Sequence, residues 1–348
     1  LSEILIQAIG FACGIIIIRM LPKDEYALYT LANAVLGTMT VIANAGISTG
    51  VMAEGGKVWQ DREKLGAVLA TGFELRKMFS IISLFFGIPI LVYLLLKNNA
   101  SYTSVVLIIL VLIPAFFATL SNALLIIAPK LHQDILPLQK NQVFVNLSRL
   151  TLLSLSIFLF PLAYIAIMAS SLSQVIGNFR LRKIAAKQVD FKQAVSPVVR
   201  KSILKTVKRI LPDAIYYSLS GQITIWLLSI FGSTSSIAEI GALGRIAILL
   251  SIIGMLFHIL IAPRFARALP NFKKILNIFV GAQLTLGFAL TIMVGCVAIF
   301  SKEILWILGD NYKHLNYEIV LAIIGSALNL FAGVVYSLTS SRGWIIHP

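Results

Sequence analysis

The sequence predicts an all-α polytopic membrane protein, a two-lobed helical bundle with about ten transmembrane helices. Two observations carry this reading. Of the 348 residues, 58% are hydrophobic and only 12% are charged, against about 45–50% apolar and about 25% charged in an ordinary soluble domain. Mean hydropathy is +0.92, and the apolar residues fall in runs near the ~20 residues that cross ~30 Å of hydrocarbon. A water-soluble core of this length could not hide so much apolar surface behind so few charges.

Ten runs read as spans: 3–18, 27–52, 78–96, 104–128, 142–160, 161–178, 211–231, 237–261, 275–300 and 317–339. The fifth and sixth are almost continuous around Phe160-Pro161, which implies a tight hairpin. Residues 62–77 mix charged and apolar positions and read as an interfacial helix leading into the third span. The one long polar stretch, 179–210, carries ten basic residues against a single acid, Asp190. It divides the chain into an N-terminal lobe of six helices (1–178), a basic cytoplasmic linker (179–210) and a C-terminal lobe with four helices present (211–348).

Charge gives the orientation. There are 29 Lys and Arg against 14 Asp and Glu, a formal net charge of +15. In a soluble chain that excess would point to nucleic acid; in a polytopic one it marks the cytoplasmic side. With the N-terminus inside, 23 of the basic residues fall on the cytoplasmic side and five on the other. The remaining one, Arg245, falls inside a span. The linker would lie on anionic headgroups, at about 1 kcal/mol per cation near the surface, or serve simply as a topology anchor. Asp24–Leu28 and Ala238–Ala242 form a weak repeat, each a short outer turn whose Glu opens a helix rich in small residues. Cys13 and Cys296 lie in apolar runs, and His132, His258, His314 and His347 are far apart, so no disulfide, metal or cofactor is expected. The opening segment has no basic n-region, which argues against a cleaved signal peptide. Trp344–Pro348 reads as the start of a further helix, so a longer parent chain is expected.

Polar residues inside spans are expensive and their facing is informative. In the second span Asn33, Gly37, Thr40 and Asn44 recur at steps of 4, 3 and 4, which is one helical face. Asp213, Tyr217, Ser220 and Thr224 repeat that spacing in the seventh, while Gln222 marks another side. Small and hydroxyl residues serve close helix packing equally well, but Asn33, Asn44 and Gln222 need partners or water, so they are expected to face a cavity. Arg245 sits about two turns into the eighth span, where a cation costs about 2.5–3.5 kcal/mol. Glu239, six residues back, lies about 240° round the helix and does not share its face. Arg245 is therefore expected at a cavity, with outward snorkelling as the alternative. Arg19 is the matching outer cation of the first half, and Arg149 lies near the inner end of the fifth span.

Three stretches resemble a family: Ile15–Tyr29, which contains Arg19-Met-Leu-Pro-Lys-Asp-Glu-Tyr26; Ser218–Gly232 followed by Ile237–Arg245; and Phe300–Tyr312, with Ile304-Leu-Trp-Ile-Leu-Gly309. Their order and spacing are similar to those of Wzx-type O-antigen and polysaccharide flippases of the multidrug/oligosaccharidyl-lipid/polysaccharide exporter superfamily. Leu21-Pro22 departs from the usual Leu-Gly-Pro, and the last two spans are lacking. The resemblance implies twelve or more helices in two lobes. It also implies alternating access, and a cargo of undecaprenyl-diphosphate-linked oligosaccharide moved from the inner to the outer leaflet of a bacterial or archaeal cytoplasmic membrane. Arg245, Arg19 and Arg149 would then shield the diphosphate, and Asn33, Asn44, Tyr216, Tyr217, Gln222 and Trp226 would meet the sugars. Asp213 and Glu239 are the candidates for coupling to a proton or sodium ion. The principal rival is a multidrug cation exporter of the same superfamily, which would want intramembrane carboxylates. A membrane enzyme of polysaccharide assembly would need large polar loops or a metal-holding DxD, and neither is seen in the sequence.

Overall fold

A computed structural model of the chain describes residues 2–261, 265 and 272–341. Arg264, Arg267 and Arg342, used in the charge count, and Trp344–Pro348 lie outside the described residues. About 88% of the described residues are helical, and no strand occurs among them. The helices are α1 (Ser2–Met20), α2 (Lys23–Asn44), α3 (Ile47–Lys57), α4 (Arg62–Lys97), α5 (Tyr102–Leu125), α6 (Ile127–Leu131), α7 (Ile135–Leu159) and α8 (Ala163–Ala185). They continue as α9 (Pro197–Phe231), α10 (Thr234–Leu260), α11 (Phe272–Ile299), α12 (Ser301–Leu308) and α13 (Asn316–Ser341). This is an all-α polytopic membrane protein.

Among the described residues, eight helical segments are long and apolar enough to cross a membrane, counting α2 with α3 and α5 with α6. Two of the ten expected spans fall short of that measure. The apolar stretch of α1 is short, Leu5–Met20. Helix α8 is too polar, and the reason is packing: it is held between α5 and α7, with small residues such as Ala166, Ala169, Ser173 and Gly177 buried. Its hydroxyls turn back on their own helix, Ser170 Oγ to the Ala166 carbonyl at 3.0 Å and Ser173 Oγ to that of Ala169 at 2.9 Å.

Four boundaries differ from the sequence expectation. The interfacial helix 62–77 and the third span are one helix of 36 residues, α4. At 1.5 Å per residue it is about 54 Å long, well beyond the ~30 Å of hydrocarbon. Asp61 caps it, its carboxylate accepting the N–H groups of Glu63 (3.1 Å) and Lys64 (3.0 Å). The polar stretch 179–210 is helical at both ends, because α8 runs on to Ala185 and α9 starts at Pro197. There Ser196 caps the helix and proline takes its first turn, where a missing N–H costs nothing. The second span breaks between Asn44 and Ile47, with Gly46 at φ +80°. The long outer connection 301–316 is folded as α12 and a 3-10 turn, Asp310–Tyr312, whose Tyr312 is buried.

The described residues form two compact units, 1–238 and 239–348. In the first, two ends of the helices are tied by side chains. At one end Arg62 donates to the Ala186 carbonyl (3.0 Å), Gln188 to Asp134 (3.3 Å) and Ser202 to Glu54 (2.6 Å), and Arg200 pairs with Glu74 at 3.3 Å. Beneath these lies a core that includes Ile47, Val51, Leu65, Leu69, Ile203 and Val207, each fully buried aliphatic contributing about 1.5–3 kcal/mol. This end carries most of the unit's cations. At the other end Glu25 accepts the first N–H of α8, from Ala163, at 2.7 Å, and Asn98 donates to the Ser229 carbonyl at 3.3 Å. In the second unit α11 packs against α13, and His314 meets Glu239 at 3.4 Å.

Candidate functional site

Helices α2, α4 and α9 of the first unit enclose a cavity of about 470 Å³. The approach of α2 to α4 depends on Gly87, since a Cβ there would fall 2.5 Å from Met39 Sδ. Ser83 Oγ donates to the Met39 carbonyl at 2.9 Å, and Thr38 Oγ1 to that of Ala34 at 3.0 Å. Those hydroxyls are thus consumed by the helices, and what faces the space is apolar: Val35, Ile42, Phe86 and Ile90 with Leu219 and Trp226 of α9. The buried indole Nε1 of Trp226 has no hydrogen-bond acceptor. No carboxylate lines the cavity. Chemically it can hold an aliphatic or aromatic moiety; the Trp226 Nε1 is covered by protein and is not presented to the space.

Seven residues from Ser83, about 10 Å along α4 toward the basic end, lies a buried cation. Arg76 is 3% exposed. One guanidinium nitrogen donates to the Leu120 carbonyl; the other donates to Asn44 Oδ1 and, at 2.8 Å, to Ser48 Oγ. Ser48 in turn donates to Asn44 Oδ1 at 2.8 Å. No carboxylate among the described residues pairs with Arg76. The α2–α3 break at Gly46 is therefore pinned to α4 and α5 through one arginine. The carboxyls at the solvated end are of another kind. The backbone N–H and the side chain of Lys64 hold Asp61 below the usual carboxylate range, and the Lys192 N–H with Gln193 does the same for Asp190.

Of the residues expected at a cavity, Trp226 is the one that lines this one. Asn33 donates to its own helix at the Tyr29 carbonyl, 2.8 Å away, and Asn44 is taken up by Arg76 and Ser48. Gln222 is half-buried on α9, whereas Tyr216 and Tyr217 are each 73% exposed. Asp213 is exposed on the same helix. Arg149 is half-buried on α7 and donates to Ser170 of α8 at 3.2 Å. Arg19 is exposed near the end of α1 and is engaged by a neighbouring group. Arg245 and Glu239 belong to the second unit; both are half-buried and have interaction partners. The sequence reading missed Arg76, counted there among solvated cytoplasmic cations, and the whole contribution of α4. For the continuity of α4, the absence of any helix breaker between Lys77 and Met78 was the available signal; for Arg76 there was none.

No family model matches the chain, and no curated protein matches it. Solved structures do. An inward-facing multidrug resistance MATE family transporter of the MOP superfamily superposes with a TM-score of 0.67, at 14% identity over 97% of this chain and 81% of that one. A MATE in complex with MaL6 gives 0.66, at 16% identity over 99% and 80%. A Vibrio cholerae MATE transporter gives 0.61, at 16% identity over 99% and 81%. The fold is that of the MATE transporters. In this MATE-like fold the α2/α4/α9 cavity and the Arg76 cluster both lie within the first unit.

Proposed function

We propose that this chain is a membrane transporter that carries an amphipathic cargo by alternating access, with no bond chemistry of its own. The observation that carries the reading is the α2/α4/α9 cavity, apolar and without a carboxylate, in a MATE-like fold. A space of about 470 Å³ is the size of a small-ligand pocket. Export of small amphipathic compounds, as a multidrug exporter would perform it, has the more direct support, because one solved neighbour is named a multidrug resistance transporter.

The flipping of undecaprenyl-diphosphate-linked oligosaccharide is the second reading, and charge favours it. A drug cation gains from a carboxylate in its path, yet none lines the cavity and Asp213 is exposed. Arg76 and Arg245, by contrast, place cations within apolar helices. In either case the reading keeps the basic end and the N-terminus in the cytoplasm of a bacterial or archaeal cell, and leaves Asp213 or Glu239 to couple a proton or sodium ion.

Transport in proteoliposomes decides between them. A lipophilic cation whose efflux falls at least fivefold in Trp226→Ala identifies the exporter. Movement of a lipid-linked oligosaccharide with no cation efflux identifies the flippase. A chain that reconstitutes correctly and moves neither cargo refutes transport.

A further inference from the structure

A second hollow lies in the first unit. A groove of about 620 Å³ opens between α4, α5 and α8 and ends beneath the loop that joins α8 to α9. Its wall is apolar, from Pro114 and Phe117 on α5 to Phe73 on α4 and Val175 on α8. Pro114 and Leu125 both line it, eleven residues apart on one helix, so it is about 16 Å deep. That is about half of the ~30 Å hydrocarbon thickness, one leaflet. At its basic end the polar lining changes character. Asn178 is used internally, donating to the Ala118 carbonyl at 2.6 Å. Arg182 stands over the Phe191 ring, 5.5 Å from its centre, and no carboxylate among the described residues pairs with it.

An apolar slot one leaflet deep, with an exposed and acid-free guanidinium at its cytoplasmic mouth, is complementary to one kind of molecule. We propose that this groove holds an anionic phospholipid of the inner leaflet, an acyl chain along Phe117 and Val175 and its phosphate on Arg182. Arg presents a planar fork that suits a phosphate bidentately, and a phosphodiester is hydrogen-bonded there without leaving the headgroup layer. Lys183, Lys187 and Lys192 near the mouth add a diffuse attraction for the same charge. The site is separate from the α2/α4/α9 cavity and does not depend on which cargo that cavity takes.

The test is native mass spectrometry of the detergent-purified full chain, titrated with phosphatidylglycerol or phosphatidylcholine of the same acyl composition. One tightly retained phosphatidylglycerol is expected, at an affinity at least fivefold above phosphatidylcholine. Arg182→Gln, an exposed position whose loss leaves the fold intact, should remove that preference. Val175→Trp should block the groove and lower retention of both lipids at least fivefold, while Lys97→Gln, at the far end of α4, changes retention less than twofold. Equal retention of the two lipids by the unaltered protein overturns the proposal. So does an Arg182→Gln variant that keeps the preference. Full displacement by sn-glycerol 3-phosphate would show a site for the free headgroup anion instead, and overturns it too.

Discussion

Arg76→Ala removes a cation that is 3% exposed and donates to Leu120, Asn44 and Ser48. Hydrogen bonds from a charged group contribute about 1.5–3 kcal/mol each, so the three together are worth about 4.5–9 kcal/mol. Against this stands the desolvation of an ion with no counter-charge, which costs several kcal/mol and is recovered on substitution. The truncation also leaves a void, and large-to-Ala changes in a packed interior cost about 2–5 kcal/mol. Two large terms nearly cancel and the void remains, so a net loss of about 2–5 kcal/mol is expected. The sharper measurement is the coupling to Asn44. Asn44→Ala removes the same acceptor from the other side, so the pair should be non-additive by about 1–3 kcal/mol, within the range for groups sharing one network. Unfolding by denaturing detergent in mixed micelles, followed by far-UV circular dichroism, gives all four corners of the cycle. Additivity within about 0.5 kcal/mol would show that the guanidinium does not hold the α2–α3 break.

Four further outcomes are expected. Gly46→Ala forces a side chain into φ +80° and brings a Cβ to 3.0 Å from Ile210 Cβ, which should cost about 1–3 kcal/mol in the same unfolding assay. Asp61 is held below its ordinary range by Lys64; its contribution is therefore present above the unfolded carboxylate range and lost as pH falls through the folded value. Asp61→Asn keeps the cap and cannot titrate, so its stability should be flatter on the acid side than that of the unaltered protein. A single cysteine at Lys192 should resist a membrane-impermeant thiol reagent in intact cells, and labelling there would reverse the orientation. Arg245→Ala should lower transport per molecule of full-length protein at least tenfold with unchanged membrane insertion, Arg245→Lys retaining part of it; normal transport per molecule would remove Arg245 from the cargo path.

The helices were legible because membrane burial leaves a crude signature, a run of ~20 apolar residues. Their true ends were not, since hydropathy registers only the part in hydrocarbon. Helices α4 and α9 continue into the solvated end as charged amphipathic extensions, and what marks those starts is capping: Asp61 before Arg62, and Ser196 before Pro197. Both signals stand in the sequence, but a reading tuned to apolar windows passes over them. Arg76 was not legible by any local rule. Its partners are 28, 32 and 44 residues away, and nothing in the string of residues separates a solvated cation from one turned into a helix junction.

The cavity shows a more general difficulty with reading polar stripes. In hydrocarbon every polar group is under pressure to find a partner, and the cheapest partner is a carbonyl one turn back or a neighbouring helix. Asn33, Thr38 and Ser83 do this, so their spacing records how α2 closes on itself and on α4, and carries little information about cargo. Asn44 lies on the same stripe and serves the Arg76 tie. Trp226 belongs to no polar stripe, and it lines the cavity with its ring while its Nε1 is covered by protein. A group already satisfied by the fold would have to break a bond to meet a cargo, at about 1–3 kcal/mol for the partner left behind. The stripe on α2 therefore reports how the helix closes on itself and on its neighbours, and what is left open beside it is the apolar lining from Val35 to Trp226.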